Sequence, residues 1–435
     1  MGVDSPLPTS LADTPCLAHR CPSERVSLIH SLAELLTLRA ESIGKMIALQ
    51  TGKPIRFSIS EVQRTVGMMR AVASRFLADR EEEPFGSARL RRRPVGRIAV
   101  ITPANNPVYI PFSKLIPAMV YGNQVVWKPA EEVTELSSHL VDCLSEAHWP
   151  AEIVRCRKGG REVAQQLMRD PGIQGVTLTG SEEAGRVARH ICAERNVPLQ
   201  AELGGNNAAI IWADVAMESA VQAVAAGAFE MAGQRCTANR RVIVHRDVRD
   251  AFVDGLVVAA RHIRWGDPLS SDTQMGPLLT PSRCERVAGC VERASKQSSI
   301  HYPQGVDSPV LRGFRGCWFP PTIVLCDDDQ AEIVQEETFG PILVVQTASN
   351  WDQAIRLLNG VRQGLVAALF SSSVEIRNRF LDEAEAGILK LNRATADAEI
   401  DVPFCAWKAS GTGLPEHGIF NREFYTRPQT VYEAA

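Results

Sequence analysis

The chain has 435 residues, 45% of them apolar, and its 47 basic against 50 acidic side chains leave a formal net charge of -3. That length exceeds one ordinary core and predicts two or three domains of a globular protein. The balanced charge gives no global attraction to nucleic acid or to an anionic membrane, and no run of about eighteen apolar residues offers a membrane span, so neither partner is expected.

The opening residues, MGVDSPLPTSLADTP, carry no basic stretch followed by an apolar core, so no secretory leader is expected, and Pro6 stands where a myristoylation signal wants Ser or Thr. The eleven cysteines (Cys16, Cys21, Cys143, Cys156, Cys192, Cys236, Cys284, Cys290, Cys317, Cys326 and Cys405) are scattered and odd in number. They lack the paired spacing of a metal centre and read as mostly reduced thiols in a cytoplasmic protein, with no metal site expected. A helical period then runs through Val26, Ile29, Leu32, Ala33 and Leu36, with Ser23 as N-cap and Gly52 with Pro54 as the stop. The basic stretch ARLRRRPVG reads as a solvated edge strand or arm.

Beyond it the pattern changes. GRIAVITP, NQVVWKP and GVTLTGS are short β-rich apolar runs separated by segments long enough for a helix, which predicts a parallel α/β sheet. A second series follows residues 203–205: NAAIIWAD, RVIVH, GPILVVQT, GLVAALFS and GILKLN, with AVAAGAFEMAG read as helix between them. Two α/β units in tandem are expected. Their join is placed near Gly204 and Gly205, where paired glycines permit backbone geometry closed to other residues.

Residues with chemistry stand near the ends of these runs. Asn105 in ITPANNP is either a turn residue or an amide donor for an oxyanion. Lys128 and Glu131 in WKPAEE are either a surface ion pair or the ribose contacts of a nucleotide at a strand end. TLTGSEEAG sets Ser181 between Gly180 and Gly185 at a strand-to-helix turn whose N–H groups suit a diphosphate. Glu202 in AELGGNN is either a solvated charge or a part-buried carboxyl with the raised pKa of a general base. GQRCTANRR puts Cys236 beside Arg235, Arg240 and Arg241, and nearby cations favour a reactive thiolate.

Taken together and in this order, the TPxNxP turn, the KPxE strand end, the GSxxxG turn, ELGG, GQxC, EETFGP and PFxxxKxSG resemble the aldehyde dehydrogenase superfamily over most of the chain. LGGNNAAII, GQRCTANRR and LNRAT look locally most like succinylglutamate-semialdehyde dehydrogenases. The resemblance implies an α/β fold of two Rossmann-like domains and a small β oligomerisation arm. The NAD-binding domain would span residues 1–203, with an oligomerisation segment about residues 80–95; the catalytic domain would span 204–415 and the arm 416–435. It further implies a homodimer or homotetramer that uses NAD, with NADP as the alternative, to oxidise a small-molecule aldehyde, an aliphatic acidic semialdehyde, to a carboxylic acid. By the same resemblance Cys236 is the nucleophile that carries a thiohemiacetal and then a thioester, Glu202 is the base, and Asn105 with the Cys236 backbone N–H holds the oxyanion. Thr102, Pro103, Gly180, Gly185 and Leu203 fall among the cofactor contacts. Lys128 and Glu131 fall on the adenosine ribose, Ser181 on the phosphate, and Glu337 with Phe339 on the nicotinamide ribose.

The pattern has departures. The resemblance starts part-way into the family's N-terminal segment. Ala104 and Asn106 replace aromatic residues on either side of Asn105, and Cys405 with Ala406 replaces a double glycine, where side chains would crowd or reshape the backbone. A coenzyme A-acylating relative and a catalytically retired NAD-binding scaffold are the competing readings; Glu202 speaks against the first, and the intact Asn105, Glu202 and Cys236 against the second.

Overall fold

The computed structural model describes residues 17–301, 317–396 and 398–433. Cys16, the segment read as leaderless and the last two residues of the expected arm lie outside the described residues.

Three helices, Pro22–Leu38, Ala40–Thr51 and Ile55–Ala78, open the described chain. The predicted period holds, since Val26, Ile29, Leu32, Ala33 and Leu36 are all buried. The first helix starts earlier than expected: Cys21, not Ser23, is the N-cap, because Pro22 fits the first helical position with its fixed φ and loses no hydrogen bond there. Glu24 Oε2 accepts the Cys21 N–H at 3.0 Å. The run breaks at Arg39 and ends at Gly52, whose φ of +76° is the left-handed cap that glycine reaches without strain.

The first sheet has six strands in the order Gly411–Thr412, Leu199–Glu202, Gly175–Thr179, Arg97–Ile101, Gln124–Lys128, Val154–Cys156. All neighbours are parallel except the antiparallel edge Gly411–Thr412. The second sheet has seven, in the order Ser299–His301, Thr322–Leu325, Ile342–Ala348, Arg241–His245, Ala208–Ile211, Val366–Phe370, Ile388–Leu391, parallel but for Ser299–His301. The continuous apolar runs of the sequence suit strands with helices on both faces. Cys236 and Glu337 precede strands of the second sheet, whereas Thr102 and Ser181 follow strands of the first and Lys128 ends one. The crevice is thus the meeting of C-terminal ends on one side with N-terminal ends on the other. Gly411–Thr412 also crosses a boundary, returning from beyond the second sheet to extend the first.

Two expectations change, at the arginine-rich strand and at the glycine pair. Ala88–Pro94 is the central strand, not the edge, of an antiparallel sheet with Glu82–Phe85 and Thr426–Tyr432. Its arginines find carboxylates on both sides, Arg89 on Glu82 and Glu433, Arg92 on Glu423. Pro428 is tolerated because its strand is an outer one. Gly204 and Gly205 do not have positive φ; a Cβ on Gly204 would collide with the Glu337 carboxylate, so closeness rather than a special conformation calls for glycine. The cysteines are mostly thiols, eight of them free among the described residues, while Cys284 and Cys317 form a disulfide with Cα atoms 6.2 Å apart. No helix among the described residues is long and apolar enough to cross a membrane.

Candidate active site

The first sheet has its switch point between Arg97–Ile101 and Gly175–Thr179, where consecutive connections leave in opposite directions and open α/β sheets hold ligands. Thr102 and Pro103 leave one strand there, Gly180 and Ser181 the other. A cavity of about 250 Å³ runs from them to Lys128 and Glu131. Burial lowers the Lys128 ammonium pKa, opposed by Glu131 and Glu132. A Cβ at Gly160 would meet the Glu131 carboxylate, so that glycine admits it. Ser181 caps helix Glu182–Arg195, accepting the Ala184 N–H at 3.2 Å, and the helix N-terminus favours an anion. Thr102 Oγ1 accepts from Trp127 Nε1 at 2.9 Å. Gly185, expected at the ligand, instead lies under Leu203: a side chain there would displace Leu203, which itself lines the next cavity.

That next cavity, about 320 Å³, shares Pro103, Gly180 and Ser181 and reaches Asn105, Cys236, Glu337 and Phe339. Glu337 accepts the Gly205 N–H at 3.3 Å and lies 3.8 Å from Arg240; burial raises its pKa, which Arg240 opposes. Phe339 adopts φ +50°, and its ring has Arg240 and Arg283 at 5.3 Å and 5.9 Å. Arg283 and Arg286, from the start of helix Pro281–Ala294, also line this cavity and were not singled out in the sequence, where basic residues three apart read as a solvated helix face. A third cavity, about 440 Å³, lies on the other side of Cys236 and takes in Glu202, Arg64, Tyr109 and His417.

Cys236 is delivered by a strained loop. The segment read as helix ends at Phe229, and Met231, Ala232 and Gly233 follow at φ 56°, 54° and 63°. Each left-handed non-glycine residue costs about 1–2 kcal/mol. Surrounding contacts hold it: the Met231 N–H donates to Gln274 O at 3.0 Å, and the Cys236 carbonyl accepts from Asn207 Nδ2 at 2.7 Å. The arginine neighbours of Cys236 are not the largest influence on its thiol. Burial, then Glu337 and Glu202, push its pKa up to about 12 against Arg240 and the Thr237 N–H. Arg235 instead donates to the Ala226 carbonyl and Arg241 to those of Leu357 and Leu358, at 3.1, 2.8 and 3.1 Å.

Asn105 Nδ2 donates to the Gln234 carbonyl at 3.1 Å, which fixes its amide against the Cys236 loop and leaves a second N–H. Glu202 closes its strand with Oε2 buried and without a hydrogen-bond partner. Its pKa is raised well above the ordinary carboxyl value by burial and by Glu416, and Lys114 opposes them. Lys114 forms a buried ion pair with Glu416 and donates to Thr177 Oγ1 at 2.9 Å. The sequence carried a signal for Lys114, a lone charge inside the apolar helix YIPFSKLIPAMV.

Comparison with known proteins agrees with this arrangement. Residues 4–431 match the Aldehyde dehydrogenase family. The chain belongs to that family. It is 30% identical over 420 residues to an alpha-ketoglutaric semialdehyde dehydrogenase of Bacillus subtilis (strain 168), covering 94% of this chain and 85% of that one. To N-succinylglutamate 5-semialdehyde dehydrogenase 2 of Caulobacter vibrioides it is 33% identical over 429 residues, covering 97% and 86%. The crystal structure of an NAD-dependent aldehyde dehydrogenase from Sinorhizobium meliloti superposes with a TM-score of 0.89 at 27% identity, covering 95% and 82%. The fold is therefore that of an aldehyde dehydrogenase, and the enzyme an oxidoreductase.

The departures from the aldehyde dehydrogenase pattern acquire physical reasons. Asn106 Oδ1 accepts from Lys53 Nζ at 2.7 Å, and the same buried ammonium pairs with Glu61 at 2.7 Å. An aromatic side chain would leave that contact unmade. Cys405 and Ala406 keep negative φ. Room for them comes from across the chain, where a Cβ on Gly387 would strike the Cys405 carbonyl and one on Gly411 the Ala406 methyl.

Proposed function

We propose that this aldehyde dehydrogenase oxidises an aliphatic acidic semialdehyde to the carboxylic acid, with Cys236 as nucleophile, Glu202 as base and NAD as the preferred cofactor. The observation that carries the reading is the place of Cys236: it lines both the cavity continuous with Lys128, Glu131 and Ser181 and the opposite cavity containing Glu202. A buried ammonium, a carboxylate admitted by a glycine and a helix N-terminus fit the ribose and diphosphate of a dinucleotide, and Glu337 with Phe339 fit its second ribose. Bound there, the dinucleotide supplies a hydride acceptor.

The chain's own residues do the rest. Cys236 Sγ gives up its proton to solvent water and bonds the aldehyde carbon, and the carbonyl π electrons move to oxygen. The second Asn105 N–H and the Cys236 backbone N–H hold that oxyanion. When the C=O bond reforms, the carbon loses its hydrogen as hydride and remains on Sγ as a thioester. Glu202 then takes a proton from water, whose oxygen displaces sulfur and frees the acid. A panel of semialdehydes with NAD, followed by absorbance of reduced nicotinamide, tests the reading; a panel in which neutral aldehydes outrun every acidic one rejects the substrate class.

Glu131 beside Lys128 suits free ribose hydroxyls and repels a 2′-phosphate. The expected kcat/KM is higher with NAD than with NADP by about tenfold or more, about 1.4 kcal/mol. Equal or better efficiency with NADP removes Glu131 from this role. We further infer a division into an NAD-binding domain over 1–203, with an oligomerisation segment about 80–95, a catalytic domain over 204–415 and an arm over 416–435, supported by the two sheets except at Gly411–Thr412, which joins the first. A cytoplasmic location is supported by eight free cysteines among the described residues. A homodimer or homotetramer is supported by the small antiparallel sheet, where Phe85 and Tyr432 are 76% and 77% exposed. Light scattering at micromolar concentration is expected to give two or four chain masses, and a monomer mass rejects the assembly.

A further inference from the structure

The wall of the third cavity is rich in carboxylates that already have cations. Glu61 pairs with Lys53 at 2.7 Å, Glu230 with Arg56 at 3.0 Å, Glu399 with Arg393 at 2.8 Å, and Glu416 with Lys114. Glu202 is held toward its neutral form by burial. Arg64, on helix Ile55–Ala78, lines the same wall under different terms. Its Nη2 donates to the Ala398 carbonyl at 2.9 Å and its guanidinium stands 5.0 Å from the centre of the Tyr109 ring. Among the described residues no carboxylate lies within ion-pair distance of it. A carbonyl and a ring face orient a guanidinium without neutralising it, and its planar fork keeps further N–H donors for a bidentate acceptor. Arg64 is solvent-exposed, whereas Cys236 lies deeper on the same cavity.

We propose that Arg64 determines substrate specificity by binding the carboxylate at the far end of the semialdehyde while the aldehyde carbon lies at Cys236. The inference rests on the proposed reading of this cavity as the aldehyde site. An exposed ion pair is ordinarily weak because two flexible side chains must be ordered to form it. Here Ala398 and Tyr109 have already ordered one of them, which lowers that cost on binding.

The test compares kcat/KM for 5-oxopentanoate and for pentanal, of equal carbon number, in the wild type, Arg64→Gln and Arg64→Lys. The wild type is expected to prefer the acid, and added salt to weaken the preference. In Arg64→Gln the acid-to-neutral ratio is expected to fall about tenfold, equivalent to about 1.4 kcal/mol, chiefly through KM for the acid. Arg64→Lys is expected to lie between, since a point charge replaces a fork. The ratio is internal to each preparation, so a partly folded variant does not distort it. A wild type that prefers the acid and an Arg64→Gln enzyme with the same ratio overturn the assignment of Arg64 and leave the substrate class standing. A wild type that handles pentanal as well as the acid overturns the substrate class, and the role of Arg64 with it.

Discussion

Cys236→Ala is expected to lower formation of reduced nicotinamide and of acid together, by more than about 10⁴-fold, because the only covalent attachment point is gone. Binding of NAD, read by fluorescence titration, should persist, since Lys128, Glu131 and Ser181 are untouched. Glu202→Gln should separate the two halves of the reaction. Thiol attack and hydride loss remain, while hydrolysis of the thioester slows about a hundredfold or more. With a good aldehyde the expected trace is a burst approaching one reduced cofactor per active site, then a slow steady state, with the acyl adduct on Cys236 visible by intact-mass spectrometry. A Glu202→Gln enzyme that turns over at the wild-type rate without a burst removes Glu202 from deacylation. Acceleration of the wild type by coenzyme A, with an acyl-CoA as product, replaces hydrolysis by acyl transfer.

The second large effect concerns pH. In its proposed role Glu202 acts as a carboxylate, and burial together with Glu416 raises its pKa, so the rate is expected to be low in acid and to climb as pH rises through that raised pKa. Glu416→Gln removes one of the two influences that raise that pKa and leaves Lys114, which lowers it. The ascending limb of single-turnover deacylation should therefore move to lower pH. The same change leaves the buried Lys114 ammonium without its counter-ion and should cost about 3 kcal/mol of stability in a denaturant titration. A limb that stays in place or moves to higher pH rejects electrostatic coupling between Glu416 and Glu202.

What the sequence made legible follows from how local each signal is. Strands such as Arg97–Ile101 and Ile342–Ala348 are continuous apolar runs with glycine or proline at their borders, and such runs fold in parallel sheets whatever lies elsewhere. Asn105, Glu202 and Cys236 were visible as short motifs, and the structure gathers them around one crevice. The pairing of Lys114 with Glu416 was not, because the two are 302 residues apart and meet only through the tertiary fold, although Lys114 alone stood out as a charge in an apolar helix. The left-handed turn at Met231 and Ala232 was hidden for another reason. Those residues favour helix in isolation, and contacts with Gln274 and Gly340 override the preference. The arginine-rich stretch, read as an edge strand or arm, is not an edge, because its second neighbour, Thr426–Tyr432, comes from the far end of the chain.

The return of Gly411–Thr412 to the first sheet sets an order of events during synthesis. This strand pairs Gly411 with Glu202 and Thr412 with Ala201, and the Ser410 carbonyl accepts the Leu203 N–H at 2.8 Å. Domains emerging from a ribosome tend to fold N-terminal part first. A nascent chain of this enzyme that has exposed Cys236, Asn105 and Lys114 still holds the strand of Glu202 as an open edge, and Glu416 has not been made. With the roles proposed for Cys236 and Glu202, the nucleophile is therefore translated well before the strand of its base gains its last neighbour. A chain released before residue 411 would retain the thiol and lose the geometry that frees its product.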